Sequence, residues 1–140
     1  MKVLLDTNII LDVLLNRPGF LDAAKKIFEL AERKQFSGFI TASAITDIFY
    51  ISKRQIKNID IVYQMVDKLT VLFTIAPVSE TTIINALALH WKDFEDAIQY
   101  VASKENEITH IITRNVQDYK ASDILCIEPT AFIKIAGNNC

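Results

Sequence analysis

Several aspartates, far apart in the sequence, each stand where an apolar run ends or a helix is predicted to begin. They are Asp6 after VLL, Asp47 in SAITDIFY, Asp93 and Asp96 in DFEDAIQ, and Asp118 in IITRNVQDY. Two carboxylates about 4 Å apart repel by roughly 4 kcal/mol at an effective dielectric constant near 20. A fold that gathers several of them therefore needs a cation, so the array predicts a divalent-metal site if the aspartates converge.

Each aspartate also has an interpretation that involves no chemistry. Asp6, taken alone, is at least as well explained as a solvated turn residue. Asp93 and Asp96 stand three residues apart on one face of a predicted helix, where the first can cap the helix and the second can interact with its dipole. Asp47 lies within a predicted helix among apolar neighbours, and it either faces solvent or lies near a cation.

Three further polar residues accompany the aspartates. Asn8 either caps the helix that follows Asp6 or hydrogen-bonds Asp6 and fixes its rotamer. Thr113 and Asn115 lie in TRNVQD after an apolar strand, where an Asn-containing turn is the plain interpretation.

Strands are predicted to alternate with helices along the whole chain. The first half is predicted to contain a strand over 2–5, a helix from Thr7 ended by Pro18 and Gly19, a helix over 20–34, a strand in FSGFIT, and a helix over 44–55 capped by Ser43. The middle of the chain is predicted to contain a helix over 58–70, a strand in VLFTIAP and a helix starting at Ser79 or Thr81. A helix from 93, strands in THIIT and LCI, and a helix in PTAFIKIA are predicted for the rest. This alternation predicts an α/β fold with a mostly parallel sheet covered by helices on both faces. Ligands in such folds bind beyond the carboxyl ends of the strands, so Asp6 and Asp118 are expected at the same edge.

The composition indicates one compact domain over residues 1–140. The chain is 51% hydrophobic, and its three glycines and three prolines leave little material for linkers. The formal charge of -2 excludes a protein that holds nucleic acid through a broad basic surface alone. A carboxylate-bound metal brings its own positive charge to a phosphate, so nucleic acid remains a possible substrate.

The cysteines and the apolar runs bear on the compartment. Cys126 in ILCI is expected to be a buried thiol and Cys140 part of a frayed end, because their spacing fits neither a disulfide framework nor a metal-ligand pair. Asp6 and Asp12 interrupt the first apolar run, and no run approaches the roughly 18 uncharged residues of a membrane span. The protein is expected to be cytoplasmic and without a membrane partner.

The ordered set of motifs resembles a known family. MKVLLDTNIILDVLL, SAITDI, DFEDAIQ and ITHIITRNVQDY look like the successive motifs of the PIN-domain family, especially the small VapC-like toxin ribonucleases. The resemblance covers nearly the whole chain. It implies a Rossmann-like three-layer α/β/α sandwich with a central parallel sheet, metal-dependent cleavage of RNA such as tRNA, homodimers, and a small antitoxin protein as partner.

The resemblance also implies roles for particular residues. Asp6 matches the first acidic ligand of the family, and Asp96 matches the acid on the later helix. The positions that match the remaining polar residues of the family are Asn8 beside the first acid, Asp93 as a frequently acidic accessory, and Asp118 before the aromatic of the last motif. Two positions depart from the pattern, since Asp47 stands where glutamate is usual and Asn115 where many members have aspartate.

Oxygen ligands of this kind favour Mg²⁺ or Mn²⁺ over zinc. Within the resemblance, Asp6 and Asp96 are the central ligands. The side chains that complete the site, directly or through water, are Asp47, Asp93 and Asp118, while Thr113 and Asn115 orient carboxylates or phosphate.

Two other functions compete with a metal-dependent nuclease. A phosphohydrolase that uses Asp6 as its nucleophile usually has a second acid two residues later, where this chain has Asn8. A catalytically silent module that binds RNA or protein is favoured by the departures at Asp47 and Asn115.

Overall fold

The structure is a computed structural model that describes residues 1–119 and 122–137. The strands of the described part are β1 (Lys2–Leu5), β2 (Ser37–Thr41), β3 (Thr74–Ala76), β4 (His110–Ile112) and β5 (Leu125–Ile127). The helices are α1 (Thr7–Leu14), α2 (Leu21–Glu32), α3 (Ala42–Ile56), α4 (Ile59–Leu72), α5 (Glu80–Leu89), α6 (Phe94–Glu105) and α7 (Pro129–Gly137), and one turn of 3₁₀ helix covers Val116–Tyr119. Cys140 lies outside the described residues.

The strands form one parallel sheet in the order β3-β2-β1-β4-β5. Val3 and Leu5 of β1 pack into a core with α1, α2, α3 and α7, whereas Leu4 packs on the opposite face with residues of α6 and the 3₁₀ turn. Alternate residues of a strand point to opposite faces, so a buried β1 needs helices on both sides. The predicted three-layer α/β/α fold is confirmed.

Parallel pairing fixes the edge at which polar residues gather. Leu5 of β1 is paired with Ile112 of β4, and the backbone N–H of Asp6 donates to the carbonyl oxygen of Ile112 at 3.0 Å. The residues that follow the two strands, Asp6 and Thr113, therefore lie side by side.

Three predicted boundaries are wrong. The first helix ends at Leu14, before Pro18, because Asn16 takes a left-handed backbone conformation. Thr41, and not Ser43, caps α3, since its Oγ1 accepts the N–H of Ala44 at 3.2 Å.

The third error concerns VLFTIAP, of which only Thr74–Ala76 is strand. Val71 and Leu72 extend α4, where Leu69 is buried and Leu72, three residues later, packs on the same core. The pattern of such a short apolar run fits a strand and a helix end equally well. Contacts with the core decide which of the two forms.

Two smaller observations complete the fold. Cys126 is a free thiol, but it is half-buried because β5 is the edge strand of the sheet. Among the described residues, no helix has the length and apolar character that crossing a membrane requires.

Candidate metal and active site

An acidic pocket of about 210 Å³ lies at the carboxyl ends of the central strands. It is lined by Asp6, Thr7, Asn8, Leu11, Asp47, Ile51, Asp93, Glu95, Asp96, Asn115 and Asp118. The structure therefore brings together all five aspartates singled out in the sequence, together with both asparagines. Parallel strands explain the arrangement, because their carboxyl ends meet at one edge.

Asp6 is held on both of its carboxylate oxygens. Thr113 Oγ1 donates to Oδ2 at 2.8 Å, and Gln99 Nε2 donates to Oδ1 at 3.1 Å. Only 7% of Asp6 is exposed. Thr113, predicted to orient a carboxylate or phosphate, makes this contact with a carboxylate.

Asp96 is the other nearly buried acid of the pocket, with 7% exposed. Its Oδ1 accepts a hydrogen bond from the Tyr119 hydroxyl at 3.1 Å. Burial, and then the negative charges of Asp6 and Asp93, raise the pKa of Asp96 to about 7. A carboxyl that resists ionisation in this way is strongly favoured to ionise once a cation is near.

Asp93 caps a helix and also lines the pocket. Its Oδ1 accepts the backbone N–H of Asp96 at 3.1 Å, so it is the N-cap of α6. It also lines the acidic pocket, where its side chain is exposed.

Glu95 lines the same pocket and is absent from the residues predicted from the sequence. Ser43 Oγ on α3 donates to its Oε1 at 3.5 Å. Burial, followed by the charges of Asp47 and Asp6, raises the pKa of Glu95 to about 7. The available signal was the density of acids, because three within four residues exceed what a cap and a helix dipole require.

The remaining aspartates and Asn115 form the exposed rim of the pocket. Asp47 lies on α3. Asp118 lies in the 3₁₀ turn after β4, and Asn115 directly precedes that turn. Asn115 anchors that turn, because its backbone N–H donates to Thr113 Oγ1 at 3.1 Å. The exposed rim carboxylates have room to rotate toward a ligand.

Asn8 does not make either of its predicted contacts. Asp6 occupies the N-cap position of α1, and the oxygens of Asp6 are bonded to other residues. Asn8 Oδ1 instead accepts a hydrogen bond from Arg17 Nη1 at 3.1 Å. The cause is the turn after α1, which brings Arg17 back over the start of the helix.

Asp12 is a buried charge behind this contact, with 1% of the residue exposed. Its oxygens lie 3.5 Å from Arg17 Nη1 and 3.1 Å from Arg114 Nε. Arg114 also lies over the ring of Phe20 at 3.8 Å. Asp12 thus links α1 to the turn that carries Arg17 and to Arg114 in the segment after β4.

The donor set of the pocket fits a hard cation. It consists of carboxylate, amide and hydroxyl oxygens, which suit Mg²⁺ and Mn²⁺. Across residues 1–119 and 122–137, no three acidic, His or Cys side chains stand close enough to hold an ion between them. A shared ion therefore requires rotation of rim side chains. Its charge would offset the carboxylate repulsion that, after burial, raises the pKa values of Glu95 and Asp96.

A protein-family model matches most of the chain. The family model described as PIN domain matches residues 2–117. The chain belongs to the PIN-domain family. This membership confirms the resemblance drawn from the motifs, and a comparison with curated proteins finds no match.

Solved structures of toxins and toxin-antitoxin complexes share the fold at low sequence identity. A toxin-antitoxin complex from Klebsiella pneumoniae matches with a TM-score of 0.68 and 20% identity, over 91% of this chain and 97% of that chain. VapBC2 from Rickettsia felis, bound to a promoter DNA fragment, matches with a TM-score of 0.69 and 18% identity, over 91% and 98% of the two chains. Mycobacterium tuberculosis VapC20, a toxin that cleaves the sarcin-ricin loop, matches with a TM-score of 0.63 and 11% identity, over 78% and 86%.

Proposed function

We propose that this PIN-domain protein is a metal-dependent endoribonuclease that hydrolyses RNA phosphodiester bonds and acts as the toxin of a toxin-antitoxin pair. The observation that carries the proposal is the acidic pocket, in which two nearly buried aspartates and four further acids converge at the strand ends. Core packing does not require such a set, because each added carboxylate increases the repulsion among them. A cation bound among these acids would offset the repulsion and could also bind the phosphate of a substrate.

Mg²⁺ or Mn²⁺ is the proposed cofactor. Asp6 and Asp96 are assigned as central ligands, and the residues assigned to complete the site, directly or through water, are Asp47, Asp93, Asp118 and Glu95. When bound, such a metal activates a water and polarises the scissile phosphate.

The protein groups of the pocket have separate tasks in this proposal. Thr113 holds Asp6 in one rotamer, and Asn115 fixes the turn that carries Asp118. Glu95, held at Oε1 by Ser43, is assigned to complete the metal site, where a cation favours the ionised form of its carboxyl. Asn8, held by Arg17, presents a polar amide at the edge of the pocket.

A small antitoxin is the proposed protein partner, since several structural neighbours are toxin-antitoxin complexes. The chain offers an apolar groove of about 810 Å³ between α2 and α4, whose lining includes Val13, Phe28, Met65, Leu69, Val71 and Leu72. Val71 is 89% exposed there.

We further propose that the protein forms a homodimer, that residues 1–140 make up a single PIN-like domain, and that the protein acts in the cytoplasm.

The deciding experiment is cleavage of defined RNAs by purified protein. Single-stranded RNA, a tRNA and a sarcin-ricin hairpin are incubated with Mg²⁺, with Mn²⁺, or with excess chelator. Metal-dependent cleavage of at least one RNA is expected, and induced expression in bacteria is expected to arrest growth. Cleavage that persists in chelator overturns the metal mechanism, whereas RNA binding without cleavage supports the alternative of a catalytically silent module.

Asp47 tests how an exposed rim acid contributes. The carboxylate of Asp47 is one methylene shorter than the glutamate usual in the family, and we expect it to act through a water. Asp47→Glu should keep or raise activity and tighten Mn²⁺ binding. Asp47→Asn should lower activity by about 10-fold, because an acid that acts through water tunes the ion rather than holding it.

Initial rates at several Mn²⁺ concentrations separate these effects on affinity and turnover. The same rates for Asp67→Asn, a change on the exposed surface of α4 away from the pocket lining, provide the control. If Asp47→Glu abolishes cleavage while the fold survives, Asp47 is a direct ligand in a site built around the shorter side chain.

A further inference from the structure

A buried chain of hydrogen bonds joins the two central aspartates. Gln99 Nε2 donates to Asp6 Oδ1 at 3.1 Å and to the Tyr119 hydroxyl oxygen at 2.9 Å. The Tyr119 hydroxyl in turn donates to Asp96 Oδ1 at 3.1 Å. Gln99 is fully buried and Tyr119 is 3% exposed, so this path between the aspartates is shielded from water.

The direction of every bond in this path is set by the carboxylates. An ionised carboxylate only accepts hydrogen bonds, so when Asp96 is ionised the Tyr119 proton points to Asp96 and leaves the phenolic oxygen free to accept. Gln99 then supplies both of its amide protons, one to that oxygen and one to Asp6. The reversed amide would place its carbonyl oxygen against the carboxylate of Asp6 and is disfavoured.

The arrangement has a cost that packing does not explain. Gln99 Oε1 is buried and has no hydrogen-bond partner in the described part of the chain. A buried acceptor without a partner loses the hydrogen bonds that it made to water in the unfolded chain. An apolar side chain of similar volume would fill the same position on α6 without that loss.

We propose that Gln99 and Tyr119 are positioning residues, which fix the rotamers and the separation of Asp6 and Asp96 so that both carboxylates are ready to share one cation. This inference rests on the proposed metal site. The chain of hydrogen bonds through Gln99 and Tyr119, called the relay below, occupies one oxygen of each of these two aspartates. Within the described residues Asp96 Oδ2 makes no hydrogen bond, so that oxygen remains available to the ion.

Tyr119→Phe is the sharpest test, because it removes one oxygen and keeps the ring. Tyr100→Phe is the matched control, since Tyr100 also lies against Trp91, while its hydroxyl donates to exposed Asp123 at 2.8 Å. The Kd for Mn²⁺ is measured by titration calorimetry on the full chain without RNA. Tyr119→Phe is expected to weaken binding by about 10-fold or more, and Tyr100→Phe to leave it unchanged.

The melting temperature in excess chelator separates positioning from simple support of the fold. We expect Tyr119→Phe to remain folded in chelator and to melt a few degrees below the wild type, because one buried amide proton of Gln99 loses its acceptor. We expect Gln99→Met to lose at least as much Mn²⁺ affinity as Tyr119→Phe. Wild-type Mn²⁺ affinity in Tyr119→Phe, or an equal loss in the control, overturns the relay and leaves the proposed function intact. A wild-type protein that binds no Mn²⁺ overturns the metal site itself, and the relay with it.

Discussion

Asp6→Asn is expected to lower metal-dependent RNA cleavage by about 10³-fold while the protein stays folded. The amide keeps the size of the side chain but loses the charge that a hard cation requires. Loss of several kcal/mol of metal-derived stabilisation, about 4 kcal/mol in this case, corresponds to that factor. The amide oxygen can accept the hydrogen bond from Gln99 while the amide nitrogen donates to the Thr113 hydroxyl oxygen, so the strand end keeps its shape.

The measurement compares initial cleavage rates at saturating Mn²⁺ and melting temperatures in chelator. Asp60→Asn, an exposed change in the first turn of α4, controls for the loss of one negative charge. The variant at Asp6 should melt no lower than the wild type by more than a few degrees, because it also removes a charge that raises the pKa of Asp96. A folded Asp6→Asn protein with wild-type activity would falsify the assignment of Asp6 as a central ligand.

Parallel strand order explains which parts of the pocket are predictable from the sequence. A short apolar run followed by a polar residue locates a strand end, and the neighbouring ends of β1 and β4 bring Asp6 and Thr113 together. Asp96 follows from the spacing of acids at the start of a helix. These predictions need only local patterns and the rule that parallel strands end at one edge.

Other residues depend on contacts between distant segments, which local patterns do not contain. Asp12 is buried beside apolar neighbours because Arg114, 102 residues later, reaches it. Gln99 and Tyr119 meet through packing of α6 against the 3₁₀ turn. Glu95 lies in the first turn of α6, before the buried apolar positions that indicate which face of the helix packs inward.

The same reasoning accounts for the boundary errors. Thr41 and Ser43 are both good capping residues, and only the exact end of β2 decides between them. Val71 and Leu72 suit a strand by type, but the core contact of Leu72 places them in α4. Local propensity yields to packing at such positions.

Metal binding is expected to change how stability depends on pH. Glu95 and Asp96 have pKa values of about 7 in the folded protein, above the ordinary 4.5 and 3.8. Between these values the folded state holds protons that the unfolded chain has released, so the free energy of unfolding falls as pH rises from about 4 to about 7. Without metal, the melting temperature should therefore be lower at pH 8 than at pH 5.5.

Mg²⁺ should offset this loss, because it binds the ionised carboxylates of the folded state and competes with protons for them. At 100 times its Kd the ion adds about 2.7 kcal/mol, which corresponds to roughly 5 to 10 °C for a chain of this size. The rise should be larger at pH 8 than at pH 5.5, when both are measured by scanning calorimetry at the same Mg²⁺ concentration.

Asp96→Asn and Glu95→Gln separate the two carboxyls that produce this dependence. Each variant lacks one group whose pKa is raised, so each should flatten the pH dependence of the metal-free melting temperature. Asp96→Asn should also shrink the rise with Mg²⁺, because a central ligand is lost, whereas Glu95→Gln should shrink it less. An equal Mg²⁺ effect at both pH values, undiminished in Asp96→Asn, would mean that the ion binds the folded protein outside the acidic pocket.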